Sequence, residues 1–366
     1  MTLGPDLPHQ TQPGPPSGTA RPAAIVVAYR EKVGLETWRR RHRESPVPGR
    51  WPYGLDKLGD YAAPVVVQDV PAFDGLRARL GALTGVRRRR PQPGAAAAAV
   101  AWDELTAVDM LAAVDARRYV AGVIWATDDV AAGERSGRLT LVARALRQLD
   151  AVWVLSRPQA AAVRDWLGPR CPPVHFLRFG VDPEFYRSTP YPVTPHVVSV
   201  GGDRDRDPET LFAALAIVHR ARPDVRITVQ SRADLPTAEG VERFERLPHV
   251  EVSGLLSRAS VVALATRPNL HASGMTVGLE AQSAARPVVV CDTPGMGDYF
   301  VEGETATLVP PADPDRMAAA ILALLDDPAR AEQWGQAGRA HVLSHHTTTT
   351  MGAELAAIAA GAHEPV

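Results

Sequence analysis

Short apolar runs alternate with helical patterns along most of the chain. In the first half, apolar runs predict buried strands at residues 23–29, 65–68, 120–125, 151–155 and 174–177. Residues 95–102 are compatible with either a helix or a strand because alanine dominates them. Helical patterns lie at residues 77–90 and 139–148. Such alternation is typical of an α/β domain with a parallel sheet.

The alternation resumes after a proline-rich stretch at residues 186–195, which we interpret as a linker. The predicted strands are 196–200, 225–230, 250–252, 261–265, 288–291 and 307–309, and the predicted helices are 208–220, 275–285, 315–326, 329–341 and 351–360. The predicted fold class is therefore α/β, with two Rossmann-like, doubly wound domains that face each other across a cleft. We place a disordered tail at 1–20, the domains at 21–187 and 188–345, and a terminal helical segment at 346–366.

The composition excludes several classes of protein. With 40 Lys and Arg against 41 Asp and Glu, the net charge of -1 gives no general attraction to nucleic acid or to an anionic membrane surface. No apolar run approaches the roughly 18 residues of a membrane span, and the first residues lack the features of a signal peptide. Cys171 and Cys291 cannot form a disulfide framework. We expect a soluble, cytoplasmic protein.

The candidate chemistry centres on residues 268–290, PNLHASGMTVGLEAQSAARPVVV. They predict a loop, a helix and a strand, and the small residues Ser273 and Gly274 lie where the helix begins. The free N–H groups and the dipole at a helix N-terminus favour an anion such as a phosphate. Glu280, about two turns further on, could accept hydrogen bonds from the hydroxyls of a ribose. An ordinary βαβ unit with a solvent-facing glutamate is the alternative.

This stretch, G-x-T-V-x-L-E-A followed by R-P-V-V-V-x-D-T-P-G, resembles the C-terminal signature of retaining GT-B glycosyltransferases of family 4, the glycosyl transferases group 1 type. The resemblance implies that Glu280 holds the ribose of a nucleotide-sugar and that the amides of Gly274, Met275 and Thr276 hold its diphosphate. The usual signature has two glutamates with seven residues between them, and the first position here is Ala272. His271 and Ser273 are the nearest polar substitutes for gripping the sugar.

The run of alternating Asp and Arg at residues 203–207 follows the predicted strand 196–200 and the glycines Gly201 and Gly202. A helix N-terminus alone stabilises a bound diphosphate only weakly, by roughly 0.3–1 kcal/mol per charge. A charge-assisted hydrogen bond adds about 1.5–3 kcal/mol. We therefore expect an arginine there. Arg206 is the best match for the family's basic residue and Arg204 the second, with Gly202 beside them. The alternative, a metal-binding Asp-x-Asp, is disfavoured because the interleaved arginines weaken the carboxylate field; we predict no metal.

In the N-terminal half, Gly34 follows the first strand and could let the backbone approach a ligand, although a simple turn is the competing interpretation. The aromatic and basic residues of segment 38–58 could line an acceptor pocket. Thr127, Asp128 and Asp129 follow the predicted strand 120–125, at the sheet edge where ligands bind. In the resembling family this edge faces the sugar and the acceptor. We selected Asp128, Arg206, His271 and Ser273 as catalytic candidates. For His271, a purely structural role is the competing interpretation.

The resemblance implies a glycosyltransferase that uses a nucleotide-diphosphate sugar as donor substrate, needs no cofactor, and retains the configuration of the sugar. The acceptor could be a glycan, a lipid carrier, or a small molecule that is free or bound to a carrier. Two alternatives stay open, a GT-B nucleotide-sugar 2-epimerase and a catalytically inert nucleotide-sugar-binding protein. The resemblance also implies that the terminal helix crosses back to the first domain.

Overall fold

The computed structural model describes residues 23–31, 34–62, 64–72, 86–88 and 90–366. The tail predicted at 1–20 and most of the helix predicted at 77–90 lie outside these residues.

A six-stranded parallel sheet forms the centre of the N-terminal domain. Its strands are β1 (Ile25–Arg30), β2 (Val65–Val70), β3 (Ala96–Ala101), β4 (Ala116–Gly122), β5 (Ala151–Val154) and β6 (Val174–Phe176). They lie in the order β2-β1-β3-β4-β5-β6. Alanine-rich β3 is a strand because both of its faces are covered, which small apolar residues tolerate.

The described helices of this domain cover the sheet or line its edge. They are α1 (Leu35–Glu44), α2 (Glu104–Ala113), α3 (Ala126–Ala131), α4 (Gly137–Leu146) and α5 (Arg157–Leu167), with 3-10 segments at Pro52–Asp60 and Gly168–Arg170. Asp103, Ser136 and Ser156 cap α2, α4 and α5 with their side chains, which fixes where these helices begin.

The C-terminal domain repeats this plan. Its strands are β7 (His196–Ser199), β8 (Arg226–Gln230), β9 (Val241–Phe244), β10 (Val261–Leu264), β11 (Val288–Cys291) and β12 (Ala306–Val309), in the parallel order β12-β11-β10-β7-β8-β9. The helices are α6 (Pro208–Ala221), α7 (His249–Ser257), α8 (Met275–Ser283), α9 (Pro314–Asp326) and α10 (Pro328–His345), with a 3-10 turn at Met296–Asp298. The predicted α/β fold class is confirmed.

The segment between β8 and β10 was predicted wrongly. We assigned a strand to residues 250–252 and left no room for a full helix before β10, but residues 249–257 form α7. Val252, Leu255 and Leu256 are buried on one helical face, whereas Val250, which gave the false alternation, is 44% exposed. The unpredicted edge strand β9 has no fully buried residue, and an edge strand of this kind gives only a weak apolar signal.

The C-terminal helix α11 (Thr348–Ala360) packs against the 3-10 segment Pro52–Asp60 of the N-terminal domain. The residues at the start of α11 lie against Val181. Val181 N donates to His346 O at 2.8 Å, and Thr348 N donates to Val181 O at 3.0 Å. A Cβ atom on Gly180 would lie 2.1 Å from Thr347 O, so only glycine permits this close approach. Backbone hydrogen bonds therefore tie the start of α11 to the N-terminal domain.

In both sheets, the order in which strands are added reverses at the first strand. β1 lies between β2 and β3, and β7 lies between β8 and β10, so each domain has a point where consecutive connections leave in opposite directions. Open α/β sheets bind ligands at such a point, in the crevice beyond the carboxyl ends of the strands. The loops after β1 and β3 in one domain and after β7 and β10 in the other are therefore where a site is expected.

Within the described part of the chain, no helix combines the length and the apolar character that crossing a bilayer requires.

Candidate active site

Two neighbouring cavities occupy the cleft at these switch points. The larger, about 1060 Å³, is lined by the loops after β7 and β10 together with α1, and it contains Gly202, Arg206 and Glu280 on its wall. The smaller, about 370 Å³, is lined by the loops after β1 and β3 and contains Gly34, Thr276 and Glu280. Glu280 therefore lies on the wall of both cavities. The cleft brings together five of the residues predicted to bind a donor.

The N-terminus of α8 lies at the edge of the cleft, where Thr276 lines the smaller cavity and Gly274 and Met275 lie outside the lining of both cavities. Gly274 precedes the helix with φ of +93°, a left-handed conformation that favours glycine. Among the described residues, the amides of Gly274 and Thr276 have no hydrogen-bond partner, whereas Met275 N donates to Ala272 O at 3.0 Å. Gly274 and Thr276 are thus better placed than Met275 to hold an anion.

Arg206 places a guanidinium beside these amides. Its Nη2 donates to Val200 O at 3.2 Å, and a Cβ atom on Gly201 would lie 2.5 Å from the same nitrogen. A Cβ atom on Gly274 would lie 3.6 Å from its Nη1. The guanidinium therefore lies between the loop after β7 and the start of α8, at a point where both backbones lack side chains.

The environment of Arg206 leaves part of its charge uncompensated. Asp203 Oδ2 lies 3.7 Å from its Nε, and this buried nitrogen has no hydrogen-bond partner among the described residues. Burial lowers the pKa of the guanidinium, while Asp203 and Glu280 raise it. A buried polar atom without a partner is costly, so an anionic ligand that accepted from it would remove that cost.

Glu280 projects from α8 toward the cleft, next to Tyr186. Burial raises the pKa of Glu280 to about 7, and the Tyr186 hydroxyl and the Arg206 charge oppose the rise. Burial and the carboxyl of Glu280 together raise the pKa of Tyr186 well above its usual range. Glu280 is therefore not a solvent-facing glutamate, and it can accept hydrogen bonds from hydroxyl groups in either cavity.

His271 and Asp128 contact each other across the cleft. His271 Nδ1 lies 2.8 Å from Asp128 Oδ2, and Leu270 N donates to Asp128 Oδ1 at 2.5 Å. The imidazole is buried, packs against the Trp125 ring at 4.6 Å between centroids, and has its Nε2 3.7 Å from Asp205 Oδ2. That Nε2 has no hydrogen-bond partner among the described residues. His271 is thus held by the N-terminal domain while its second nitrogen stays unsatisfied.

Ser273 is engaged within its own domain. Its hydroxyl donates to the Asp203 carboxylate at 2.8 Å, and its amide donates to Asn269 Oδ1 at 2.8 Å. This arrangement ties the loop after β10 to the loop after β7. Backbone hydrogen bonds add to it, since Asp207 N donates to Ala265 O at 3.0 Å. Ser273 positions the loops, and its side chain lies outside the lining of both cavities.

Arg204, the second candidate for the diphosphate, points away from Arg206 and contacts the N-terminal domain. Its Nη1 lies 2.6 Å from Asp129 Oδ1, its Nη2 donates to Trp125 O at 3.1 Å, and its guanidinium lies 5.3 Å from the Trp125 ring centroid. Arg138 pairs with the other oxygen of Asp129 at 2.7 Å. In this arrangement Arg204 is an interdomain contact.

The N-terminal end of α3, with Trp125, Asp128 and Asp129, is held by a residue that the sequence did not single out. Glu104 is buried and its carboxylate accepts from the amides of Ile124, Trp125 and Ala126 at 2.9, 3.1 and 2.8 Å. Burial, with a smaller contribution from the Asp103 charge, raises the pKa of Glu104 to about 7, and the hydrogen bonds from the amides of Ile124 and Trp125 oppose the rise. The predicted Thr127 is instead buried and accepts from Gln159 Nε2 at 2.9 Å, which is a structural role.

The strand predicted at 120–125 ends earlier than expected. β4 stops at Gly122, and Asp128 and Asp129 belong to the short helix α3 that follows. Sequence reasoning also missed Tyr186, Trp102 and His249, which line the smaller cavity. Tyr186 lies in the stretch we interpreted as the linker, and His249 in the segment whose secondary structure was predicted wrongly.

The carboxylates of the alternative Asp-x-Asp site already have protein partners. Asp203 accepts from Ser273 and from Asp205 N at 3.0 Å, and Asp205 lies 3.2 Å from Arg204 Nε. The described residues contain no group of three or more His, Cys, Asp or Glu arranged to hold a metal ion.

A family model and two curated relatives each match part of the chain. Residues 194–327 match the family described as glycosyl transferases group 1. A glycogen synthase of Mycobacterium tuberculosis is 26% identical over 214 residues, which are 54% of this chain and 51% of the relative. A GDP-mannose-dependent alpha-(1-6)-phosphatidylinositol monomannoside mannosyltransferase of Mycolicibacterium smegmatis is 34% identical over 165 residues, which are 44% of this chain and 42% of the relative. The chain thus spans about half or less of these relatives.

Solved structures resemble nearly the whole chain. Sucrose-phosphate synthase from Thermosynechococcus elongatus matches with a TM-score of 0.66 at 17% identity, over 92% of this chain and 98% of that one. Anabaena HepE in complex with UDP-glucose matches with a TM-score of 0.64 at 15% identity, again over 92% and 98%. At such identities these structures establish the fold. The chain therefore has the GT-B fold, and residues 194–327 of its C-terminal domain match the glycosyl transferases group 1 family.

Proposed function

We propose that this protein is a glycosyltransferase that moves a sugar from a nucleoside-diphosphate donor to a hydroxyl or amine of an acceptor, with retention of configuration. The observation that carries the proposal is that Glu280 lies on the wall shared by the two cavities, with Arg206 lining the larger one, Thr276 lining the smaller one, and Gly274 beside the Arg206 guanidinium. The group 1 family match and the names of the relatives, which include a GDP-mannose-dependent transferase, support it.

The geometry suits a nucleoside diphosphate in the larger cavity. The diphosphate would lie against the α8 amides and the Arg206 guanidinium, where a charge-assisted hydrogen bond contributes about 1.5–3 kcal/mol. Glu280 would accept hydrogen bonds from the ribose hydroxyls. The cavity of about 1060 Å³ is large enough for a ligand of this size.

Stabilisation of the leaving group is the main catalytic contribution in this proposal. The bond between the anomeric carbon and the diphosphate oxygen breaks, a bond to the acceptor oxygen or nitrogen forms, and the acceptor proton passes to a diphosphate oxygen. Positive charge and backbone amides that already face the leaving oxygens lower the barrier, because they need no reorganisation. The acceptor would approach from the smaller cavity, which shares the wall at Glu280 and Thr276.

The proposed role of the His271–Asp128 pair is to orient the transferred sugar. His271 directly precedes Ala272, where the family signature has a glutamate that this chain lacks, and Asp128 meets it from α3. Both residues lie outside the lining of the two cavities, so the buried Nε2 of His271, which has no hydrogen-bond partner among the described residues, would meet a sugar hydroxyl only if donor binding shifts this loop. The pair also joins the domains, so closure and sugar binding would be coupled.

A nucleotide-release assay tests the proposal. The protein is incubated with UDP-glucose and with GDP-mannose, with and without a panel of phenols, alcohols, amines and oligosaccharides, and free nucleoside diphosphate is measured. We expect release that depends on an acceptor, together with a glycosylated product. Donor binding without release would indicate a nucleotide-sugar-binding protein, epimerised donor would indicate a 2-epimerase, and failure to bind any donor or nucleotide would contradict the proposal.

A further inference from the structure

We propose that the smaller cavity binds a planar, mostly apolar ring system, so that the acceptor is an aromatic alcohol and not a glycan. This inference rests on the proposed function, because it names the partner to which the sugar would be transferred. The cavity measures about 370 Å³ and lies at the switch point of the N-terminal domain. Both domains and α11 contribute to its wall, so a bound molecule would be enclosed on several sides.

The wall is formed largely by aromatic rings. Trp38, Tyr53, Trp102 and Phe179 contribute, and His249 adds an imidazole from the C-terminal domain. Tyr53 and Trp102 are stacked with 4.4 Å between centroids and 9° between planes, and Phe179 meets Trp102 edge-on at 5.9 Å. Tyr53 is nevertheless 47% exposed. A planar ligand can therefore extend the stack that Trp102 and Tyr53 begin.

Asp103, Asp182 and Arg30 on the wall are engaged with other protein groups, whereas the charged residues Arg41 and Glu280 also line the larger cavity, on the side of the donor. Asp103 caps α2, accepting from Leu105 N at 3.0 Å and from Thr106 N at 2.8 Å. Asp182 accepts from Glu184 N at 2.9 Å. Arg30 Nε lies 2.6 Å from Asp109 Oδ2.

The described lining residues also include no Asn, Gln or Lys, which are common partners of sugar hydroxyls. Each buried hydroxyl of a glycan would need a partner, and a hydroxyl that stays unpaired costs binding free energy. An acceptor with an apolar ring and one or two hydroxyls avoids that cost. The hydroxyl that reacts would face Thr276 and Glu280, on the side of the donor.

The backbone at Tyr53 supports a role for its ring. Tyr53 has φ of +60° and ψ of 15°, a left-handed conformation that bulky residues rarely adopt. Residues kept in such conformations cluster at ligand sites, because folding alone would favour Gly or Asn there. The strained backbone holds the Tyr53 ring over Trp102 and toward the cavity.

Calorimetry with 7-hydroxy-4-methylcoumarin tests the inference in the full-length protein. The test variant is Tyr53→Asn, which removes the ring while providing a residue that accepts the left-handed conformation. The matched control is Tyr61→Asn, because Tyr61 is similarly exposed at 49% and lies outside the lining of the cavity. We expect the coumarin to bind the unmodified protein, Tyr53→Asn to weaken that binding about fivefold or more, and Tyr61→Asn to leave it within about twofold.

Maltotriose and 1-octanol are titrated in parallel, and thermal unfolding checks that both variants fold. Equal coumarin affinity in Tyr53→Asn and the unmodified protein would overturn the inference, as would absence of coumarin binding. Tighter binding of maltotriose or octanol, lost in Tyr53→Asn, would replace it with a glycan or an aliphatic acceptor. Titration with UDP and GDP on the same samples reports separately on the proposed function, because Tyr53 lies outside the lining of the larger cavity, where the nucleotide is proposed to bind.

Discussion

His271 of the C-terminal domain places its Nδ1 2.8 Å from Asp128 Oδ2 of the N-terminal domain, directly beside Ala272. The contact joins the two domains at the point where the family signature has its first glutamate. His271 is buried, the Asp128 side chain is 11% exposed, and the remaining imidazole nitrogen has no hydrogen-bond partner among the described residues. In the proposed function this pair would contact the transferred sugar while it joins the domains, which would couple domain closure to turnover.

The first prediction concerns this pair. His271→Ala and Asp128→Asn should each lower the turnover rate, and the double variant should be little worse than the poorer single variant, because both remove the same unit. We expect a coupling free energy of about 1–3 kcal/mol in a double-mutant cycle measured on turnover. Additive effects of the two changes, or turnover at the normal rate in His271→Ala, would assign the pair a structural role only.

The second prediction follows from the raised pKa of Glu280, about 7. The ionised carboxylate is the better acceptor for ribose hydroxyls, so donor affinity should rise as the pH increases from 6 to 8, by up to about tenfold. UDP-glucose and GDP-mannose are suitable ligands because their esterified diphosphates do not titrate in this range. Glu280→Gln should bind more weakly and with a flat pH profile. Parallel profiles for the two proteins would exclude Glu280 from the ribose site.

The third prediction concerns Glu104, whose pKa burial raises to about 7 from an ordinary value of 4.5. The folded protein holds this proton more tightly than the unfolded chain does. The contribution of Glu104 to the free energy of unfolding is therefore full below about pH 4.5 and is lost as the pH rises through about 7. Glu104→Gln lacks this titration. Relative to Glu104→Gln, the unmodified protein should lose about 1–3 kcal/mol of stability between pH 5 and pH 8.

Urea unfolding of both proteins at several pH values measures that difference, and the contributions of other titrating groups cancel in it. A difference that stays constant with pH would show that Glu104 titrates normally. Because Glu104 accepts from the amides of Ile124, Trp125 and Ala126, we also expect Glu104→Gln to lower turnover through the position of Asp128.

Much of the fold could be predicted because buried parallel strands are continuous apolar runs. β5, β10 and β11 are buried at every position and carry the clearest signal. Where burial is partial, the signal weakens. The edge strand β9 was missed, and the Val-Glu-Val alternation at 250–252 imitated a strand although the buried face of α7 is set by Val252, Leu255 and Leu256.

For the candidate site, the sequence could predict which residues of one domain lie close together, but not the contacts between the two domains. Residues 201–206 and 271–280 follow β7 and β10, neighbouring strands at a switch point, so their proximity follows from topology. The contacts between His271 and Asp128 and between Arg204 and Asp129 depend on how the domains face each other, which no local pattern encodes. The alternating charges at 203–207 likewise did not reveal that Arg204 and Arg206 point in different directions.

That divergence allows the most direct test of the central claim, that a nucleoside diphosphate binds at the Arg206 guanidinium and the α8 amides. Calorimetric titration with UDP and GDP compares Arg206→Ala with Arg204→Ala, two changes of the same kind in one loop. We predict that Arg206→Ala weakens binding of the preferred nucleotide by about 1.5–3 kcal/mol, roughly tenfold to over a hundredfold, and that Arg204→Ala changes it by less than about threefold. Unchanged affinity in Arg206→Ala, with or without a loss in Arg204→Ala, would contradict the account.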